Sequence, residues 1–300
     1  MKKIAIYILL LIVACEKKSV KSPYIIVLGT TQDGGAPQAG CVKKCCVNRW
    51  GASKKEFFVT SLGIIDPNSK EAWMIEATPD FAQQHKIIAE KNEVMGIFIS
   101  HAHIGHYSGI MYLGRETMGY KNMPLHVGPK MKKFIKTNAP WNQLVELNNV
   151  KLLTIKDGDS IELNNRLTIK PFTVPHRDEF SETNGFQILG PNKSLIFIPD
   201  IDKWEKWDVN VLNKIIQNDY ALLDGTFFDE KELPGRDMSE IPHPFVVESA
   251  EFFKKIKDDV GINFIHFNHT NPLLNENSAS RDDLKAKGFN AASLFQRFDL

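Results

Sequence analysis

Three of the nine histidines in this 300-residue chain fall within six residues, in Ser100-His101-Ala102-His103-Ile104-Gly105-His106. Imidazole is the commonest protein ligand for zinc and suits iron and copper too, and a His-x-His-x-x-His turn presents several imidazoles from one place. Residues 94–99, just before it, form an apolar run that reads as a buried strand. Other groups able to ligate a metal or move a proton also close predicted strands: His176 after residues 167–174, Asp200 after 194–198, Asp224 at the end of 220–224, and His269 after 262–267. Strands of packed sheets end along a common edge, where loops bring side chains into one pocket. The ordered set points to metal-assisted chemistry. Histidines with a carboxylate suit zinc, and also iron or manganese.

The elements that must position these groups follow from pattern. Residues 24–28 form a β-branched first strand running into a glycine-rich loop, 29–38. That loop lacks the Gly-Lys-Ser/Thr of a phosphate-cradling P-loop, so nucleotide binding of that kind is excluded. Strands at 57–65 and 72–76 make a hairpin around Asp66-Pro67-Asn68, and Thr78-Pro79-Asp80 opens a helix to about residue 91. A helix is predicted over 109–119, behind the histidine turn, and another over the basic segment 129–137. Short strands follow at 125–127, 151–155, 160–163 and 167–174. Residues 185–189 and 194–198 form a second hairpin, and 246–257 an amphipathic helix. His126, inside an apolar strand, reads as structural. Strands lead at both ends with helices between, which predicts an α/β fold, an αββα sandwich of two mixed sheets flanked by helices.

Hydrophobic residues make up 43% and charged residues 24%, enough for one large core, here assigned to residues 23–300. A formal net charge of +1 gives no push towards nucleic acid, and none is expected as a partner. The N-terminus stands apart. Met1-Lys2-Lys3 precedes an apolar run, 4–14, of signal-peptide length that ends Leu11-Ile12-Val13-Ala14-Cys15. This ending resembles a bacterial lipobox. It implies a signal peptide over 1–14, lipidation of Cys15, a polar tether to residue 22, and an exported, membrane-anchored lipoprotein. Cys41, Cys45 and Cys46 are the other cysteines. They read either as one disulfide plus a spare thiol or as ligands of a structural zinc completed from elsewhere.

The order of motifs resembles the metallo-β-lactamase fold superfamily over nearly all of residues 23–300. An early strand-end aspartate falls on Asp80, the histidine turn on His101, His103 and His106, a later histidine on His176, an acid on Asp200, and a last histidine on His269. Gly34-Gly35-Ala36-Pro37-Gln38 with cysteines just after it, Asp224-Gly225-Thr226-Phe227, and His266-Phe267-Asn268-His269-Thr270-Asn271-Pro272-Leu273-Leu274 look like the pyrroloquinoline quinone biosynthesis protein B family. The resemblance implies one metal on His101, His103 and His176 with a fourth position for water, and a second on His106 and His269 with Asp200 as the bridge. Gly105 departs from the pattern, standing where a ligating aspartate is usual. It implies a weaker second site, or one completed by another acid such as Asp202 or Asp224. Asp200 is implied in catalysis. His243 resembles the accessory histidine of tRNA-processing nucleases of the superfamily. Asp224 is expected to orient a histidine ligand, and His266 to support the site or pack in the core. Cys41, Cys45 and Cys46 are implied as structural zinc ligands.

The function these features predict is a metal-dependent hydrolase, using a metal-bound water or hydroxide and one or two zinc ions, with iron or manganese as substitutes. Its substrate would be a small molecule or peptide. The alternatives are an iron-dependent oxidoreductase or hydroxylase related to the quinone-biosynthesis family, and a non-catalytic metal-binding lipoprotein.

Overall fold

The computed structural model describes residues 21–51 and 57–300. The predicted signal peptide, the lipidation site Cys15 and most of the tether lie outside the described residues. No helix among those described is long and apolar enough to cross a membrane.

Among the described residues, fourteen strands form two seven-stranded sheets. In chain order they are β1 (Tyr24–Gly29), β2 (Ser61–Asp66), β3 (Glu71–Ile75), β4 (Glu93–Phe98), β5 (Met123–Val127), β6 (Val150–Thr154) and β7 (Ile161–Glu162), then β8 (Thr168–Val174), β9 (Thr183–Leu189), β10 (Ser194–Ile198), β11 (Tyr220–Asp224), β12 (Gly261–Ile265), β13 (Asn290–Ala291) and β14 (Arg297–Asp299). One sheet has the order β14-β1-β2-β3-β4-β5-β6, the other β13-β12-β11-β10-β9-β8-β7. Both are mixed. β3 to β6 pair in parallel, as do β10 to β13, while both expected hairpins, β2–β3 and β9–β10, are antiparallel. β14 brings the end of the chain back antiparallel to β1.

Side chains alternate across a strand with a period of two, and here the alternation builds the layers. On β1, Ile25 and Val27 join an inner core between the sheets, while Ile26 and Leu28 face the helices outside. On β10, Leu195 and Phe197 face inward, and Ile196 and Ile198 pack under the helices of the other flank. Burying each such side chain contributes about 1.5–3 kcal/mol. The sandwich is therefore a rigid frame for whatever its strand ends carry.

The helix predicted over 109–119 is instead a 3-10 segment, Ser108–Leu113, followed by turns. Gly114 and Gly119, the latter at φ +53°, are poor helix formers and break it. The helix predicted over 246–257 is α-helical only over Val246–Phe252. Short helices at Trp141–Glu146, Val211–Ile216 and Ala279–Ala286 had no clear periodic signal.

His126 lies on β5 with its ring stacked on Phe98 at 4.1 Å. Burial holds its pKa down at about 4. Because the unfolded chain takes up this proton near 6.5, the associated stability is complete above that pH and is lost as pH falls towards 4. The full loss is about 3 kcal/mol. His126→Leu is expected to narrow the difference in Tm between pH 8 and pH 5. An unchanged difference would rule out this contribution.

Candidate metal centre

The histidine turn leaves the end of β4 and begins a one-turn helix, Ile104–Tyr107. Facing it are the ends of β3, β8, β10, β11 and β12, together with the loop after β1. The histidine turn, these strand ends and the β1 loop bring five histidines and four acids together, and His243 joins them from the loop before the Val246–Phe252 helix. His106 and His266 are fully buried, and His101 and Asp200 nearly so.

Four groups of ligand-type atoms result among the described residues: His101, His103 and His176; Asp33, His106 and His266; His101, His106 and Asp200; and His176, Asp200 and His243. His101 Nε2 and His103 Nδ1 are 2.8 Å apart. His106 Nε2 is 3.0 Å from Asp200 Oδ2 and 3.0 Å from Asp33 Oδ1. His266 Nε2 is 3.3 Å from Asp200 Oδ2 and 3.9 Å from Asp33 Oδ1. Asp200 Oδ2 is also 4.0 Å from His101 Nε2, so one oxygen lies between the first two groups.

The opposite nitrogen of each imidazole faces a group of its own. Ser100 Oγ is 2.8 Å from His101 Nδ1, and Glu179 is 2.9 Å from His103 Nε2. Glu76 lies 3.5 Å from His106 Nδ1, and Asp202 lies 3.6 Å from His176 Nδ1. Thr226 donates its hydroxyl to Asp224 at 2.7 Å and accepts from His266 Nδ1 at 2.9 Å, which leaves Nε2 of His266 with the lone pair. His243 Nδ1 rests on Asp224 at 2.7 Å. Such outer partners fix the ring and tautomer of metal-binding histidines.

The donor set fits a cation. His106 Nε2, His176 Nε2, His266 Nε2, Asp33 Oδ1 and Asp200 Oδ2 are buried and make no hydrogen bond, although several stand at hydrogen-bond distance from one another. Lone pairs aimed at a common centre look like this. Isolated buried carboxylates are costly, and a cation offsets that cost. Burial opposes ionisation of Asp200, but His266, His106 and His101 outweigh it and hold its carboxyl well below the usual range. Burial likewise opposes ionisation of Asp33, and His106 and His266 overcome it. Burial drives His101 and His103 towards the neutral form, the form that ligates. Burial also acts on His106, but Glu76, Asp200 and Asp33 prevail and raise it well above 6.5, a sign of how much negative charge surrounds it. Glu76 and His266 both hold positive φ, +73° and +67°. Non-glycine residues rarely sit there, and such strain collects at functional sites.

Several sequence expectations need correction here. His269 does not reach His106 and Asp200. It joins Cys41, Cys45 and Cys46 in a separate group, with its ligand atom within 4.8 Å of theirs. Its place is taken by His266, which ends the strand three residues earlier. Asp80 is not at the cluster; it accepts the Val59 amide at 2.9 Å, and Glu76 is the acid beside His106. Neither Asp202 nor Asp224 fills the gap left by Gly105. They hold His176 and His243 from behind, while Asp33, unsuspected in its glycine-rich loop, reaches the cluster. The described cysteines are free thiols, with Cys41 Sγ and Cys45 Sγ 3.7 Å apart. Sulfurs on a tetrahedral zinc with bonds of about 2.3 Å stand about 3.8 Å apart, so the group fits that ion. Tyr107 packs edge-on against Phe134 and tilted against Trp141, as core.

A family model described as a beta-lactamase superfamily domain matches residues 73–267. The chain is 22% identical to coenzyme PQQ synthesis protein B of Methylorubrum extorquens (strain PA1), over 90% of this chain and 97% of that one. It is 24% identical to the protein of that name from Acinetobacter baumannii (strain SDF), over 90% and 97%. Its fold matches zinc-bound PqqB from Methylobacterium extorquens with a TM-score of 0.77 at 21% identity, covering 92% of this chain and all of that one. It also matches a diphosphatase of the PhnP family, with a TM-score of 0.66 at 18% identity over 93% and 97% of the two chains.

Proposed function

Because the chain belongs to the beta-lactamase superfamily, we propose that its histidine–carboxylate cluster holds metal for the hydrolysis of a small acidic ester, a phosphoester above all. The supporting observation is the set of buried nitrogens and carboxylate oxygens that converge without hydrogen-bond partners. His101, His103 and His176 form a three-imidazole seat, and three protein ligands are the number that leaves a position for water. A divalent ion held there would lower the pKa of a water to about 7 and polarise the bond to be cleaved. Asp200 spans the groups: Oδ2 faces His106 and His266, and Oδ1 lies 3.7 Å from His243 Nδ1. His243, with Nδ1 engaged by Asp224, has Nε2 left to carry a proton to a leaving group. Cys41, Cys45, Cys46 and His269 would hold a structural zinc. A lipid on Cys15 would tether this domain to a membrane.

The acidic substrate is inferred from the neighbouring cleft. About 560 Å³ in volume, it is lined by Gln32, Lys43, Phe227, Arg236 and Asn268, among others. Cys41 and His269 of the thiol group line it as well, and Gln32, Phe227 and Asn268 tie its wall in sequence to Asp33, Thr226 and His266 of the cluster. Lys43 and Arg236 give it positive charge. A cleft of about 600 Å³ beside Arg49, Glu276 and Arg281 offers no histidine or cysteine and is a poorer choice.

Metal analysis combined with a chromogenic phosphodiester assay tests this function. Turnover is expected to vanish with chelator, return with zinc or manganese, and fail in His101→Ala. Redox-active iron with no hydrolysis of phosphoesters or lactones would overturn it. His243→Asn is expected to cut kcat about 100-fold. Its metal content should match wild type; a parallel loss of metal would make His243 a ligand rather than a proton donor.

A further inference from the structure

We propose that Asp33 is a metal ligand that reaches in from the loop after β1 to replace the carboxylate missing at Gly105. This deepens the metal-centre reading and rests on it. A Cβ built on Gly105 would lie 2.1 Å from Asp33 Oδ1 and 2.6 Å from Asp33 Cα. No side chain fits at position 105 while Asp33 holds its place. The carboxylate enters, from another segment, the space that a side chain on the histidine turn would fill.

Its surroundings are those of a ligand. Asp33 Oδ1 and Asp200 Oδ2 both face His106 Nε2 and His266 Nε2, at 3.0–3.9 Å, and none of the four atoms has a hydrogen-bond partner. Two imidazole nitrogens and two carboxylate oxygens make a set that zinc, iron and manganese accept, and the two carboxylates balance a divalent charge. The loop is also fixed in register with its partner. Gln32 N donates to Phe267 O at 2.8 Å, and Phe267 N donates to Thr30 O at 2.8 Å. Thr30 and Gln32, just before Asp33, are thus clamped to the residue that follows His266, so the two ligands are placed together. A surface acid paired casually with a histidine would not need this bracing.

The test uses the full chain, metal-stripped and then titrated with Zn²⁺ or Mn²⁺, with bound metal counted by elemental analysis after dialysis. Wild type should retain two ions in addition to the one at the cysteines. Asp33→Asn keeps the shape and loses the charge; it should lose one of the two, its dissociation constant rising about 100-fold or more, since even outer-shell changes cost about 10- to 100-fold. The ion at His101, His103 and His176 should stay. The decisive variant is the exchange Asp33→Gly with Gly105→Asp, which should recover the lost ion. Gly105→Asp alone, clashing with Asp33, should not exceed wild type. Full retention of both ions with unchanged affinity in Asp33→Asn overturns the ligand role but leaves the metal centre intact. Wild type that takes up no ion beyond the cysteine group overturns the metal centre itself, and Asp33 with it.

Discussion

Asp200→Ala is expected to strip the histidine cluster of metal and to lower hydrolysis by about 10³-fold or more, ~4 kcal/mol of transition-state stabilisation. Among the described residues Asp200 is the one whose oxygen stands between both ligand groups, 3.0 Å from His106, 3.3 Å from His266 and 4.0 Å from His101. It is almost wholly buried, and a neutral water in the space left by the truncation would not restore the carboxylate's negative charge. Asp202→Asn is the matched control. Asp202 touches the cluster only through His176 Nδ1, at 3.6 Å, and also pairs with Lys206. As an outer partner it should cost about 10-fold in metal affinity. Comparable losses of metal in the two variants would mean that Asp200 is no bridge but one support among several.

Strand-end placement made much of this site legible. The histidine turn, His176 and Asp200 each follow an apolar run, buried almost throughout in β4 and β10 and more broken in β8, so the sequence shows both the strand and the group at its end. The paired alternatives near β12 were harder. His266 and His269 both follow the same run, and spacing alone cannot say which turns inward. The backbone decides it: His266 takes a positive φ, turning its ring to the cluster, and the chain then continues to the cysteines. Glu76 was obscured in the same way by Asp80, four residues on and equally acidic. Asp33 had no periodic context. Its only sequence signal is indirect, an acid in a glycine-rich loop at the end of the first strand, and its tie to Gly105 exists only in the folded chain. Glu179, three residues past His176, resembles any surface acid until its hydrogen bond to His103 is seen.

His269→Ala and Cys45→Ser are expected to release the same zinc, and neither should directly remove the ion at His101, His103 and His176. The four ligand residues come from two segments far apart in sequence, Cys41 to Cys46 and His269, and Arg49 reinforces the junction by donating to the His269 carbonyl at 3.4 Å. A bound ion stabilises the folded chain by about 4 kcal/mol when its concentration is a thousand times the dissociation constant. A drop of that order in unfolding free energy at fixed zinc is expected in both variants. The consequence reaches further than stability. Cys41 is eight residues past Asp33, and His269 three past His266, so a zinc held there would tie together the two segments that bring those residues to the cluster. Loosening it should weaken the group of Asp33, His106 and His266 more than the three-imidazole group: His106 shares its turn with His101 and His103, but Asp33 and His266 belong to the tied segments. Counting ions at rising chelator concentration separates the two. In His269→Ala, intact zinc at the thiolates together with a vacated His106 and Asp200 would return His269 to the cluster and refute this division of labour.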